Sequence, residues 1–211
     1  MNAMIDSEKQ ILFIEITEHL LMDEKPSDYI NAMSEINKFE EYPLKMLQAL
    51  KKTEQSKIYH PEGNVWNHTM LVLDEAAKVR ERSKDAKVFM WAVLLHDIGK
   101  PNTTRMRKGK ITSYNHDSVG EKLCIDFLLV FTEEEDFIQK VSALVKYHMH
   151  MLYVLKDLSF GDVKNMLQKV ENQEIALLGR CDRLGRTGVD REVVEDEYQE
   201  FLTKIQYMAS Y

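Results

Sequence analysis

The stretch from Lys84 to His96 reads as a helix, and its second half, VFMWAVLL over residues 88–95, is apolar on every side. A helix with no polar face has to be enclosed by other elements. The run is too short to cross a bilayer, which takes about 20 apolar residues, so it marks the centre of a protein core. It then ends abruptly in His96 and Asp97, followed by the stop Gly99-Lys100-Pro101. Two strong metal-binding groups at the end of a core element set the question that the rest of the chain has to answer.

What encloses that helix is other helices. Glycine (8) and proline (4) are scarce in 211 residues, while Glu, Lys and Leu abound, which favours an all-α fold. The length suffices for one sizeable core or two small ones. Apolar spacing of three and four predicts helices over 7–22, 25–39 and 40–52, a loop over 59–64, and helices over 65–82 and 84–96. Further helices are predicted over 118–131, 133–150, 160–170, 172–184 and 190–208, with Ser27 as an N-cap and Ser118 with Glu121 as a capping box. Residues 1–55 are expected to form a small N-terminal helical lobe packed on a main domain, 56–211. The apolar face of the last helix (Tyr198, Phe201, Ile205, Met208) packs on that body or on a second copy, so a homodimer stays open.

Charge and cysteine usage narrow the function. The net charge of −7 argues against an extended nucleic-acid surface. Basic residues do gather at KPNTTRMRKGK, residues 100–110, inside the one long irregular segment, 100–116; such loops in a tightly packed helical chain are often functional. No apolar run suits a membrane span and the N-terminus lacks a signal-peptide pattern, so a cytoplasmic location is expected. Cys124 and Cys181 each sit in an apolar helical pattern and read as buried thiols, with no CxxC motif.

Extending each apolar stripe places several histidines on an inward face. His68 lies at i+3 from Val65, His148 at i+4 from Leu144, and Asp182 at i+4 from Leu178. Together with the His96-Asp97 doublet and His116, these metal-competent side chains come from five segments and all point inward. One inward histidine is ordinarily a hydrogen-bonded core residue. A buried unpaired aspartate costs several kcal/mol unless it is paired or holds a cation, and two of them among several histidines favour a shared cation.

The order His68, His96-Asp97, Asp182 resembles the HD superfamily of metal-dependent phosphohydrolases, with LLHDIGKP as its defining doublet. PSDYINAM, IYHPEGNVWNHTMLVLDEAAK, NHDSVGEKL and CDRLGRTG extend the resemblance, colinear over about 26–194, to the HD domain of bacterial CCA-adding tRNA nucleotidyltransferases. Those enzymes need a polymerase domain with a paired Asp-x-Asp, and no Asp-x-Asp occurs here. The chain is therefore expected to be a free-standing HD domain rather than a nucleotidyltransferase.

The resemblance implies phosphatase or phosphodiesterase chemistry on a small phosphorylated substrate, a nucleotide, including 2′,3′-cyclic and 2′-phosphates. On it, His68, His96, Asp97 and Asp182 are the ligands of one divalent cation, with His116 and His148 resembling the ligands of a second. Imidazole and carboxylate suit Mn, Fe, Co, Ni or Zn, and Mg less well. Neighbours in a regular helix point about 100° apart, so His96 and Asp97 share one site only because Gly99-Lys100-Pro101 halts the helix. Asp97, Lys100, His116 and His148 are the candidate catalytic groups, and Lys100, Arg105 and Arg186 the candidates for substrate binding, Arg107 being an alternative. The bland readings are a helix-terminal charge for Lys100, solvated loop charges for Arg105 and Arg107, and ion pairs for Arg183 and Arg186. Of the other histidines, His60 either lines the pocket or merely sits in a turn, His19 lies on the surface or packs the lobe, and His150 lies off the inward stripe. Asp117 is expected to help cap the helix after it. A 5′-monophosphatase, a dinucleoside polyphosphate hydrolase and a non-catalytic nucleotide sensor are the competing readings.

Overall fold

A computed structural model describes residues 7–209 of the protein. Helices α1 (Ser7–Met22), α2 (Pro26–Met33) and α3 (Lys45–Gln48) lead into α4 (Val65–Ala77) and α5 (Ala86–Leu95). A short α6 (Lys100–Thr103) and the strands β1 (Arg105–Arg107) and β2 (Lys110–Thr112) precede α7 (His116–Leu128) and α8 (Glu135–Tyr147). The chain closes with α9 (His150–Leu155), α10 (Val163–Lys169), α11 (Asn172–Leu184) and α12 (Arg191–Met208). The fold is all-α apart from that two-stranded hairpin.

Helix α5 is the axis, and α1, α4, α8 and α11 pack around it. Every residue from Val88 to Leu95 is buried. Full burial of a Leu, Val or Phe side chain is worth roughly 1.5–3 kcal/mol, so this run alone holds α5 at the centre. Its start is capped by the Asp85 side chain, which accepts from the Val88 N–H. The N-terminal helices share the same core: Trp91 stacks on Phe13 at 4.9 Å and its Nε1 donates to Thr17 Oγ1 at 3.0 Å.

Several helix ends differ from the spacing. Pro26, not Ser27, opens α2, since proline has no N–H to leave unpaired in a first turn. Ser27 instead ties α2 to α4, its N–H and Oγ donating to the two carboxylate oxygens of Asp74. Helix α4 stops at Ala77, and after a break the Arg80 guanidinium donates to the Asp23 and Leu20 carbonyls at the end of α1. No capping box forms at α7, which starts two residues early at His116 after a left-handed Asn115 (φ 60°). There Asp117 accepts from the Ser118 N–H, while Glu121 pairs with Lys146. The predicted 133–150 helix is broken by a turn at His148 and Met149 and resumes as α9. The segment 100–116 is not wholly irregular: it forms α6 and a hairpin whose two-residue turn, Lys108-Gly109, has positive φ at both positions.

Of the predicted apolar face of α12, Tyr198, Phe201 and Ile205 are buried, where the helix packs on α11 and α9, while Met208 is exposed. Among the described residues no helix is long and apolar enough to cross a membrane.

Candidate metal centre

Five elements deliver polar groups to one buried place. His96 directly follows α5 and Asp97 sits in the turn after it; His68 comes from α4 and Asp182 from α11. His116 is the first residue of α7 and His148 directly follows α8. His68, His96, Asp97, His116 and His148 are all buried. Because the helix halts at Leu95, both members of the doublet turn to the same side: His96 Nε2 lies 3.3 Å from Asp97 Oδ2. The other oxygen, Oδ1, lies 3.5 Å from His116 Nε2 and 3.8 Å from His148 Nε2. Asp97 thus stands between two donor sets, His68/His96/Asp182 and His116/His148.

The ring orientations repeat one device. Nδ1 of His96, His116 and His148 lies 2.8, 2.7 and 2.6 Å from the carbonyls of Val93, Ser113 and Val145, each three residues back. A carbonyl only accepts, so each Nδ1 carries the proton and each Nε2 presents a lone pair inward. His96 Nε2 is buried without a hydrogen-bond partner. His116 Nε2 and His148 Nε2 face each other at 3.1 Å, and two lone pairs at that distance repel unless a cation or proton lies between them. Buried imidazole nitrogens beside carboxylate oxygens match the donor preference of a divalent transition metal.

Burial and neighbouring charges act on these groups in opposite directions. Burial, followed by the charges of His116 and His96, depresses the His148 pKa, and burial does the same for His116. Burial, then Lys100 and His68, lowers His60 to about 4. His68 goes the other way: burial disfavours its charge, but Asp182 and Glu62 outweigh that and raise it. Asp97, although burial opposes its charge, stays well below the carboxylate range because of Lys100 and His96; Asp182 does so through Arg186 and His68.

These shifts predict an acid-sensitive fold. His60, His116 and His148 have folded values below the unfolded 6.5, so the unfolded chain takes up protons first. Their contribution is complete above pH 6.5 and is lost as the pH falls towards the folded values. His60 alone, moved from 6.5 to about 4, represents about 3 kcal/mol at the acid end. His68 has the opposite sign, its pairing being present below 6.5 and lost as the pH rises through its raised value. The urea midpoint of the protein in chelator is expected to fall between pH 6.5 and 4.5, before the carboxylates titrate. A flat profile there would contradict this account.

Lys100 is buried, its Nζ 2.7 Å from Asp97 Oδ2 and 2.6 Å from Gln55 Oε1. Arg186 donates to Asp182 Oδ2 at 3.2 Å, and Arg183 pairs with Glu197. Arg105 is exposed on the hairpin with its guanidinium on the Thr104 carbonyl, so the structure does not bring it to the cluster; Arg107 lies over the Tyr114 ring. His60 packs edge-on against His68 at 4.7 Å, at the margin of the cluster. His150 is buried between Tyr147 and Tyr153 although the helical stripe leaves it out, and His19 stacks on Tyr29. Two neighbours escape sequence reasoning altogether. Glu62, whose Oε1 is 2.8 Å from His60 Nδ1 and 2.9 Å from His68 Nδ1, and Gln55 both lie in loops, where apolar periodicity carries no signal.

The HD domain family matches residues 65–184, more than half of the chain, and the chain belongs to that family. It is similar to the multifunctional CCA protein of Pasteurella multocida (strain Pm70), 29% identical over 90% of this chain and 46% of that protein. The multifunctional CCA protein of Pseudomonas fluorescens (strain SBW25) is 28% identical over 82% of this chain and 42% of its own length. That of Hahella chejuensis (strain KCTC 2396) is 28% identical over 69% and 35%. The chain spans less than half the length of these relatives.

Proposed function

We propose that this chain is a divalent-metal-dependent phosphohydrolase acting on nucleotides that carry a 2′,3′-cyclic phosphate or a 2′-phosphate. The observation that carries the reading is the set of three buried imidazoles, each tied through Nδ1 to a carbonyl so that Nε2 faces Asp97. Membership of the HD family supports the chemistry, and similarity to multifunctional CCA proteins supports a nucleotide as substrate.

A divalent ion held by His68, His96, Asp97 and Asp182 would supply Lewis acidity at the phosphoryl oxygen and a nucleophile at neutral pH. Asp97 would also serve His116 and His148, which hold a second cation or move a proton to and from the reacting phosphate. Lys100, already beside Asp97, would offset charge that builds up on a phosphoryl oxygen bound there. Arg186 orients Asp182.

Elemental analysis of the purified protein, followed by chromatographic product analysis of 2′,3′-cyclic, 2′-, 3′- and 5′-nucleotides with Mn, Ni or Co, tests the reading. Opening of the cyclic phosphate to a nucleoside monophosphate and release of phosphate from the 2′-nucleotide are expected, and both should stop in chelator. No hydrolysis of any nucleotide with any of these metals would overturn it. His68→Ala and Asp182→Ala are each expected to lose retained metal while their circular dichroism stays helical. Metal content equal to the parent would remove those residues from the ligand set.

A further inference from the structure

Lys100 Nζ donates to Gln55 Oε1 at 2.6 Å and lies 2.7 Å from Asp97 Oδ2, so Gln55 stands two contacts away from the His-Asp turn. An ammonium only donates, and this fixes the amide: its oxygen takes the lysine, which leaves Nε2 on the other branch. Gln55 is 5% exposed, and its Nε2 is buried without a hydrogen-bond partner. Two N–H donors are therefore enclosed beside a cation with nothing to receive them. Buried polar groups are ordinarily hydrogen-bonded, and a bare one calls for a cause. The main chain fixes the residue in place. The Thr53 carbonyl accepts from the Val65 N–H at 2.9 Å, Glu54 bridges Asn64, and Asn64 Nδ2 donates to the Lys51 carbonyl at 3.0 Å. Asn64 also caps α4, so the segment bearing Gln55 is fastened to the start of the helix that carries His68.

We infer that Gln55 is a substrate-binding residue: its Nε2 donates to an anionic oxygen of the phosphate group, next to Lys100. The donor chemistry selects the ligand. Imidazole nitrogens and carboxylates offer lone pairs and suit a cation, whereas an ammonium and a free amide N–H pair offer only protons and suit an oxyanion. Donors fixed in advance by the fold stabilise such an oxygen without having to reorganise. The inference rests on the phosphohydrolase reading of the site and adds to it a neutral group that holds the phosphate.

Inorganic phosphate is the probe, added to zinc-loaded protein freed of excess metal, and neither measurement needs turnover. In proton–nitrogen spectra the Gln55 side-chain amide, identified by its absence in Gln55→Glu, is expected to shift as phosphate is added. By calorimetry, phosphate affinity is expected to weaken about 10–100-fold in Gln55→Met, as for loss of a hydrogen bond to a charged group. Gln55→Glu keeps an oxygen for Lys100 but removes both donors, and at least as large a loss is expected, with zinc retained in both variants. Parental affinity in both variants would overturn the inference, as would an amide signal that phosphate leaves unmoved. A loss in the glutamate variant alone would also overturn it, by reducing the effect to added charge. So would a loss in the methionine variant alone, which would leave Gln55 only as a support for Lys100. Should the methionine variant fail to fold, the amide spectrum of the parent decides. Phosphate binding that depends on Gln55, without nucleotide hydrolysis, would sink the hydrolase reading alone; nucleotide hydrolysis with an unmoved Gln55 amide would sink this inference alone.

Discussion

Asp97→Ala is expected to reduce metal-dependent phosphate release by more than about 10³-fold and to leave the purified protein without bound metal. Asp97 is the carboxylate common to both donor sets, with Oδ2 beside His96 Nε2 and Oδ1 facing His116 and His148. Lewis-acid stabilisation is worth several kcal/mol, and each 1.4 kcal/mol is about tenfold in rate, so losing the ion costs on the order of 10³. The substitution also strands Lys100, whose buried ammonium then has only Gln55 Oε1 at 2.6 Å. Breaking one side of a buried ion pair costs about 3–5 kcal/mol, so part of any loss could come from the fold. Adding Lys100→Met to Asp97→Ala isolates the share of the fold: the double variant should regain much of the lost thermal midpoint while elemental analysis still finds no bound metal. Phosphate release from Asp97→Ala within tenfold of the parent would remove Asp97 from the chemistry.

The cluster is partly legible in the sequence because helices put it together. His68, His148 and Asp182 fall at i+3 or i+4 from Val65, Leu144 and Leu178, all buried, and a side chain on that stripe has nowhere to point but inward. The apolar run before His96 likewise announces the central helix. Tertiary demands decide the rest. Helix α7 starts at His116 rather than at a capping box, where the ring reaches the Ser113 carbonyl, and α8 breaks at His148, whose ring takes the Val145 carbonyl. Local propensity contains neither requirement. Glu62 and Gln55 sit in loops whose course depends on what they meet. The hairpin at 105–112 is short and charged, and its Lys108-Gly109 turn lies inside a basic run that reads as solvated.

Gly99→Ala is expected to destabilise the protein by more than about 3 kcal/mol, the largest effect of any single methyl group added here. The backbone of Gly99 is ordinary, with φ −80°, so conformational freedom is not the reason for glycine. Space is the reason. A Cβ there would lie 2.1 Å from the His116 carbonyl oxygen and 2.7 Å from the Gly120 nitrogen, both backbone atoms of the first turn of α7. Overpacking against flexible side chains typically costs 1–3 kcal/mol, and backbone in a helix yields less readily. Gly120 provides the internal comparison: its Cβ would meet Val145 Cγ1 at 3.2 Å, a side-chain tip that can shift, and the better helix propensity of alanine offsets that contact, so Gly120→Ala should change stability by less than about 1 kcal/mol. For a chain of this length, 3 kcal/mol corresponds to a fall in Tm of about 10 °C. The damage is also directed. Relief of the clash moves α7 away from the His-Asp turn and carries His116 out of reach of Asp97, while His68, His96 and Asp182 sit on other elements. Gly99→Ala protein is therefore expected to lose nucleotide hydrolysis at temperatures well below its own midpoint. A thermal midpoint within 3 °C of the parent, with activity retained, would show that the close approach of α7 to the turn is not what this glycine provides.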